Sequence, residues 1–202
     1  GMLQEMLPYH ALTLTTFGKW DDVLAEPLPP TDIRFSYAMA YYAGGVAHAA
    51  KGQWAEAQAA LDTVTAINAA TPEGADGKTA LSIAVHALSG EIATRRGDLD
   101  AGINNFREAA KIEDAGLYFE PPKWYYPIRH SLGAALLKAG QHAEVEKVYL
   151  EDLRRFPENG WALFGLAQAL RAQGKNTEAA ATEARFRRAW ASTDVTLTAS
   201  RF

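Results

Sequence analysis

The sequence predicts an all-α fold built from repeated helical hairpins, and three regularities support this prediction. Glycines suited to helix-ending turns recur at intervals of 34, 45, 43 and 34 residues: Gly18, Gly52, Gly97, Gly140 and Gly174. Seven residues before each stands a small residue: Ala11, Gly45, Gly90, Gly133 and Ala167. Five residues after each stands another small or modest one: Val23, Ala57, Gly102, Val145 and Ala179. A glycine ends a helix without steric strain, because it accepts the left-handed conformation, and small residues let the two helices of a hairpin approach closely.

The hairpins follow in order from these turns. We predict units at about 4–30, 32–70, 78–114, 123–157 and 159–191, followed by an extended tail at 192–202. Three prolines over 27–30 should shorten the second helix of the first unit. Asp32 and Asn159 are predicted N-caps of the helices over 33–51 and 160–173, because their side-chain oxygens can accept otherwise unpaired backbone N–H groups.

Larger apolar residues complete the pattern. Two residues after the first three glycines come Trp20, Trp54 and Leu99, and nine residues after the middle three come Leu61, Phe106 and Tyr149. Over residues 4–190 this arrangement resembles the tetratricopeptide repeat, a helix–turn–helix of 34 residues. Two intervals are longer than the repeat, and Glu183 stands where the family prefers an apolar residue.

The resemblance carries expectations about architecture and role. It implies a right-handed α-α superhelix, or solenoid, of about five hairpins that forms a single domain over residues 1–191. It also implies a non-catalytic scaffold that binds a protein or peptide in its concave groove. Since no capping residue precedes the first helix, we expect the chain to be the C-terminal repeat region of a longer bacterial-type protein.

In this family the first helix of each hairpin lines the groove, so the register gives candidate binding residues. Ten residues before the turn glycines stand Tyr42, Ala87, His130 and Phe164, which suggest an aromatic floor. Charged and amide side chains on the same helices would fix the register of a peptide. The candidate groove residues are Tyr42, Glu91, Arg95, Trp124, Arg129, His130, Lys138, Trp161, Phe164, Gln168 and Arg171. These residues could instead pack against the insertions and the tail, which would give them a structural role.

An aromatic insertion at 115–126 supports a second hypothesis. It holds Tyr118, Phe119, Trp124, Tyr125 and Tyr126 around two adjacent prolines, which forbid a continuous helix. The insertion could close over the groove beside Arg129 and His130 and so make a small-ligand-binding module. The interpretation that we favour is that it fills the gap that the wider spacing leaves between two hairpins. A third possibility is a purely structural spacer.

Composition and motifs narrow the function classes. The net charge of −4 argues against nucleic acid, and no apolar run approaches the roughly 18 residues of a membrane span. With no cysteine, disulfides and thiolate zinc sites are excluded, but cytoplasm and periplasm both remain open. The five histidines lack metal-site spacing and no nucleophile or phosphate motif is present, so we expect no metal, no cofactor and no enzyme activity. His10, His48 and His86 are expected in the core.

The ends of a solenoid expose faces made for a neighbour, so a homodimer through these ends is possible. Phe186 and Trp190 mark the C-terminal face, which we expect Val195, Leu197 and Phe202 of the tail to cover.

Overall fold

The computed structural model describes residues 6–116, 122 and 124–201. Within them the chain forms ten α-helices and no β-strand, which confirms the all-α class. The helices are α1 (Tyr9–Thr16), α2 (Trp20–Ala25), α3 (Arg34–Ala50), α4 (Trp54–Ala70), α5 (Lys78–Arg96), α6 (Leu99–Ala115), α7 (Arg129–Lys138), α8 (His142–Arg155), α9 (Gly160–Ala172) and α10 (Asn176–Ala189).

The chain divides into two compact units, residues 1–126 with α1–α6 and residues 127–202 with α7–α10. In the first unit α1 packs on α2 and α3, α3 on α4 and α5, and α5 on α4 and α6. In the second unit α7 packs on α8 and α9, and α9 packs on α8 and α10. Inside each unit, therefore, an odd-numbered helix packs on its own hairpin partner and on the next odd-numbered helix.

All five predicted turn glycines adopt the same left-handed turn, with φ between 66° and 94°. At each turn the glycine N–H donates to the carbonyl three residues earlier at 3.0–3.3 Å. The following residue donates to the carbonyl five residues earlier at 2.9–3.0 Å. Together these bonds form a Schellman motif, which satisfies the last carbonyls of the helix. The residue after the glycine then has φ from −85° to −78° and ψ from 54° to 79°, and the next helix begins directly after it.

Close helix approach explains several of the small residues before the turns. A Cβ added to Gly90 would lie 2.7 Å from the Phe106 ring, and one added to Gly45 would lie 2.7 Å from Leu88 Cδ2. A Cβ at Gly133 would overlap the ring of Tyr149. Gly90 with Phe106 and Gly133 with Tyr149 occupy the same two positions of their respective hairpins, so one contact recurs in both units.

Of the two predicted N-cap residues, one caps its helix and the other does not. Asn159 Oδ1 accepts from the N–H groups of Trp161 at 3.0 Å and Ala162 at 3.3 Å, which confirms the predicted cap of α9. The predicted Asp32 cap is wrong. Ile33 flanks α3 without a side-chain bond, since its N–H turns back to the Pro30 carbonyl at 3.1 Å and shifts the helix start past Asp32.

The C-terminal segment after α10 contains no helix in its described part and returns to its own unit. The indole Nε1 of Trp190 donates to the Val195 carbonyl at 2.6 Å, and the Leu197 side chain is buried. The Ser200 hydroxyl is hydrogen-bonded to the hydroxyl of Tyr149. Phe202 lies outside the described residues.

Candidate functional site

The eleven candidate groove residues fall in both units and differ in exposure. Tyr42, Glu91, Arg95 and Trp124 belong to the first unit, and the other seven belong to the second. Four of the eleven are buried, whereas Lys138, Gln168 and Arg171 are exposed. The assignment of all eleven to a binding groove stays a prediction, and their individual surroundings follow.

Tyr42 lies at the centre of a buried aromatic cluster in the first unit. Its side chain is 0% exposed and meets the Trp124 ring edge-on, with centroids 5.2 Å apart. Tyr125 and Tyr126 pack on Trp124 at 5.2 and 6.0 Å. The described part of the aromatic insertion thus forms core packing over α3; Tyr118 and Phe119 lie outside the described residues.

A short chain of hydroxyl groups runs through this cluster. Tyr125 OH lies 3.0 Å from Thr15 Oγ1 and 3.3 Å from Tyr42 OH, while Thr15 donates to the Leu12 carbonyl at 2.6 Å. Trp124 Nε1 is buried and makes no hydrogen bond to any described residue. The hydroxyls of Thr15, Tyr125 and Tyr42 therefore form one hydrogen-bonded chain, which orients the two tyrosine rings.

Glu91 and Arg95 form an ion pair on α5 in which Arg95 Nε lies 3.1 Å from Glu91 Oε2. Glu91 is buried, and the Arg95 guanidinium lies 5.5 Å from the centre of the Trp20 ring. A cation over an indole face is attracted by the ring's quadrupole. The pair accordingly joins α5 to α2 as well as spanning one helical turn.

In the second unit, His130 is buried against a carboxylate that the sequence did not indicate. His130 Nε2 lies 3.2 Å from Asp152 Oδ2, so the contact links α7 to α8. Beside it, burial raises the pKa of the Tyr149 phenol well above its usual value, and the Asp152 charge adds to the increase. The protonated phenol can therefore share a hydrogen bond with Ser200 at neutral pH.

Three of the candidates do come together on the surface of the second unit. Phe164, Gln168 and Arg171 of α9 and Glu183, Phe186 and Arg187 of α10 line a depression of about 300 Å³. Phe164 and Phe186 meet edge-on at 5.4 Å, and Arg171 Nε lies 3.1 Å from Glu183 Oε1. We call these six residues the α9–α10 depression. It offers an aromatic floor with charges of both signs.

The other candidates of this unit lie elsewhere. Trp161 packs edge-on against Trp190 at 5.6 Å, Arg129 is half-buried at the start of α7, and Lys138 is exposed at its end. None of the three lines the α9–α10 depression.

Sequence reasoning missed a cavity of about 390 Å³ in the first unit. It lies among α1, α2, the proline link at 26–29, α3 and α4. Tyr41, Gly44 and His48 of α3 and Glu56 of α4 contribute to its wall. The one sequence signal was the pair Gly44-Gly45 inside a helix, where glycine is unfavourable unless something requires it.

The histidines expected in the core behave differently from one another. His10 is exposed and pairs with Glu26 at 3.0 Å, so its assignment to the core is wrong. His48 is half-buried with Nδ1 2.7 Å from Gln53 Oε1, and His86 Nδ1 lies 3.4 Å from Asn105 Oδ1. In residues 6–116, 122 and 124–201, no three His, Asp or Glu side chains are grouped as a metal ion would require.

Comparisons with known proteins assign no family to the chain. No protein-family model matches it, and a search of curated proteins finds no significant match. Among the described helices, none combines the length and apolar character needed to cross a membrane.

Proposed function

We propose that this chain is a tetratricopeptide-like repeat module, a right-handed superhelix of about five hairpins that binds a protein or peptide without catalysis. The observation that supports the proposal most strongly is that the five turns are alike. Each repeats one glycine conformation, one pair of capping hydrogen bonds and one start of the following helix. A unit that recurs in this way buries its apolar flank by stacking on its neighbours, and such stacks present extended binding surfaces.

The α9–α10 depression is the binding surface that we favour. Phe164 and Phe186 supply apolar aromatic area, and aromatic and arginine side chains dominate the binding energy of interfaces. Arg171 and Arg187 outnumber Glu183 there, so the depression suits a peptide whose apolar side chain stands next to an acidic residue. Gln168 can accept from and donate to the peptide backbone.

Selection from a random peptide library displayed on phage tests this proposal. We expect enrichment of peptides that combine an apolar anchor with an adjacent Asp or Glu. For an enriched peptide, Phe164→Ala should raise the dissociation constant about tenfold or more, because truncating a central aromatic anchor costs about 1.4 kcal/mol or more. Arg188→Ala, at an exposed α10 position outside the depression, is the matched control for Arg171→Ala.

Two results would count against the proposal. One is a selection that returns no peptide binding above background. The other is a selected peptide that binds Phe164→Ala and Arg171→Ala as tightly as it binds the unmodified chain.

Small-ligand binding through the aromatic insertion is the second candidate role. Trp124 and Tyr126 are buried in the first unit, and Trp124 packs on Tyr42. This segment would therefore have to move before a ligand could reach Tyr42. Saturable quenching of tryptophan fluorescence by a metabolite would favour this role over peptide binding. Association through the ends of the superhelix into a homodimer is a further possibility, which sedimentation at increasing concentration would reveal.

A further inference from the structure

The 390 Å³ cavity of the first unit has the dimensions and lining of a small-molecule site. Pockets that bind small ligands enclose about 300–1,000 Å³ and are mostly apolar with a few polar groups. Here Pro8, Ala11, Val23, Leu24 and Ala60 are among the apolar wall residues. Leu7 and Leu28 also line it, and both are more than half exposed, at 51% and 56%. The cavity therefore opens to solvent between two uncovered apolar side chains.

Gly44 keeps this cavity open at a cost to the helix. A Cβ built on Gly44 would meet no atom within 4 Å, whereas one on the adjacent Gly45 would lie 2.7 Å from Leu88 Cδ2. Packing thus explains Gly45 but not Gly44. Glycine inside a helix is unfavourable relative to alanine, and Gly44 has no left-handed conformation to justify it. The space beside Gly44 is the cavity itself.

The charged side chains of the wall are acidic. Glu26 and Glu56 line the cavity, and no lysine or arginine does so among the described residues. Glu26 is paired with His10, while Glu56 makes no hydrogen bond or ion pair to any described residue. His48 Nδ1 lies 2.7 Å from Gln53 Oε1, and when the neutral ring donates there its Nε2 is an acceptor.

Tyr41 also lines the cavity. Its hydroxyl accepts from Tyr37 OH at 3.1 Å, so the Tyr41 oxygen has a lone pair to spare. A carboxylate ligand would face two like charges here, and a purely apolar ligand would leave the acceptors unused. A cation with an apolar body satisfies both parts of the lining.

We propose that this cavity binds a small organic ammonium ion whose apolar body fills the space beside Gly44 and whose charge faces Glu56. The apolar part would contact Ala11, Val23 and Ala60, and the ammonium group would donate to Glu56 and to the acceptors of His48 and Tyr41. This site is separate in sequence and in unit from the peptide surface proposed above, so either proposal can fail without the other.

Calorimetric titration with phenethylamine hydrochloride tests the site, with 2-phenylethanol and 3-phenylpropionate as neutral and anionic probes of similar shape. For a ligand of this size we expect a dissociation constant of about 0.1–1 mM for the ammonium ion. The alcohol should bind at least about threefold more weakly, and the acid should not bind measurably. These differences isolate the contribution of the charge from that of the apolar body.

Substitutions then locate the site. Gly44→Val should weaken phenethylamine binding about tenfold or more, because its side chain occupies the cavity, whereas Ala66→Val at an exposed α4 position should not. Glu56→Gln should weaken binding about two- to fivefold, as expected for an ion pair with an exposed carboxylate. The matched control is Glu108→Gln on α6, which removes the same charge outside the cavity.

Gly44→Ala provides a second test if the Gly44→Val variant does not fold. It should raise the melting temperature by about 2–4 °C through helix propensity and still weaken phenethylamine binding. The proposal is overturned if the alcohol or the acid binds as tightly as the amine, or if no saturation appears up to about 10 mM. It is equally overturned if well-folded Gly44→Val or Gly44→Ala binds phenethylamine like the unmodified chain.

Discussion

Tyr42 and Phe164 occupy the same position of their hairpins, ten residues before the turn glycine, yet their surroundings differ. Tyr42 packs against Trp124 and Tyr125 in the first unit, and its side chain has no exposed area. Phe164 meets Phe186 but remains half-exposed in the α9–α10 depression. One repeat position is therefore core in one hairpin and surface in another, depending on whether a neighbouring segment covers it.

Truncating the two side chains should give the largest contrast. Tyr42→Ala should lower the free energy of unfolding by about 3–5 kcal/mol, because it opens a cavity in a packed aromatic cluster. Phe164→Ala should lower it by only about 1–2 kcal/mol, since the ring is already partly in water. Urea denaturation of both variants measures the difference. Equal losses would mean that the two positions are equally buried in solution.

Removing residues 192–202 should give the next largest loss in the free energy of unfolding. These residues form the segment that follows α10 and packs on the second unit. The truncation exposes the area under Leu197 and breaks the bonds from Trp190 to Val195 and from Tyr149 to Ser200. We expect a loss of about 2–4 kcal/mol in the free energy of unfolding. Thr196→Ala, at an exposed tail position, should change it by less than about 0.5 kcal/mol. Unchanged melting of the truncated chain would show that the tail does not pack.

Alkaline pH should distinguish the buried phenol of Tyr149 from exposed ones. Its pKa is raised above the usual 10.0 in the folded chain. The folded state therefore holds this proton more tightly than the unfolded state. The resulting stability is complete below pH 10 and falls above it by up to about 1.4 kcal/mol per pH unit. The difference in unfolding free energy between the unmodified chain and Tyr149→Phe should consequently shrink as pH rises past 10. A difference independent of pH would contradict the burial.

The smallest stability effects are expected from single polar groups. Tyr42→Phe removes one end of the hydroxyl chain through Tyr125 and should cost about 1 kcal/mol of unfolding free energy. Arg171→Ala removes an exposed ion pair with Glu183 and should cost less than about 1 kcal/mol, although it should weaken peptide binding. Urea denaturation compares the two. A larger loss from Arg171→Ala would place that side chain in the core rather than on a binding surface.

Local structure was predictable because its causes are local. The predicted unit 32–70 holds α3 (Arg34–Ala50) and α4 (Trp54–Ala70), and the predicted unit 78–114 holds α5 (Lys78–Arg96) and α6 (Leu99–Ala115). In both hairpins a glycine turn fixes the helix start within a few residues of chain. The Asn159 cap follows from the same kind of short-range bond, and Asp32 failed because the Pro30 turn moved the helix start.

Features that depend on distant residues could not be obtained in this way. The pairing of His130 with Asp152 joins residues 22 apart, and nothing in the spacing selects Asp152 among the acidic residues of α8. The burial of Tyr42 depends on an insertion more than 80 residues later. The cavity beside Gly44 requires four helices and a link to be in place. In each case the sequence shows the residue types but not which of them meet.

Amide hydrogen exchange of the chain with and without a selected peptide is the most direct test of the distinction between covered and open aromatic positions. We expect bound peptide to slow exchange in α9 and α10, around Phe164–Arg171 and Glu183–Arg187, and to leave exchange in α3 around Tyr42 unchanged. Protection centred on Tyr42 and the 124–126 segment, with none in α9 or α10, would contradict this expectation.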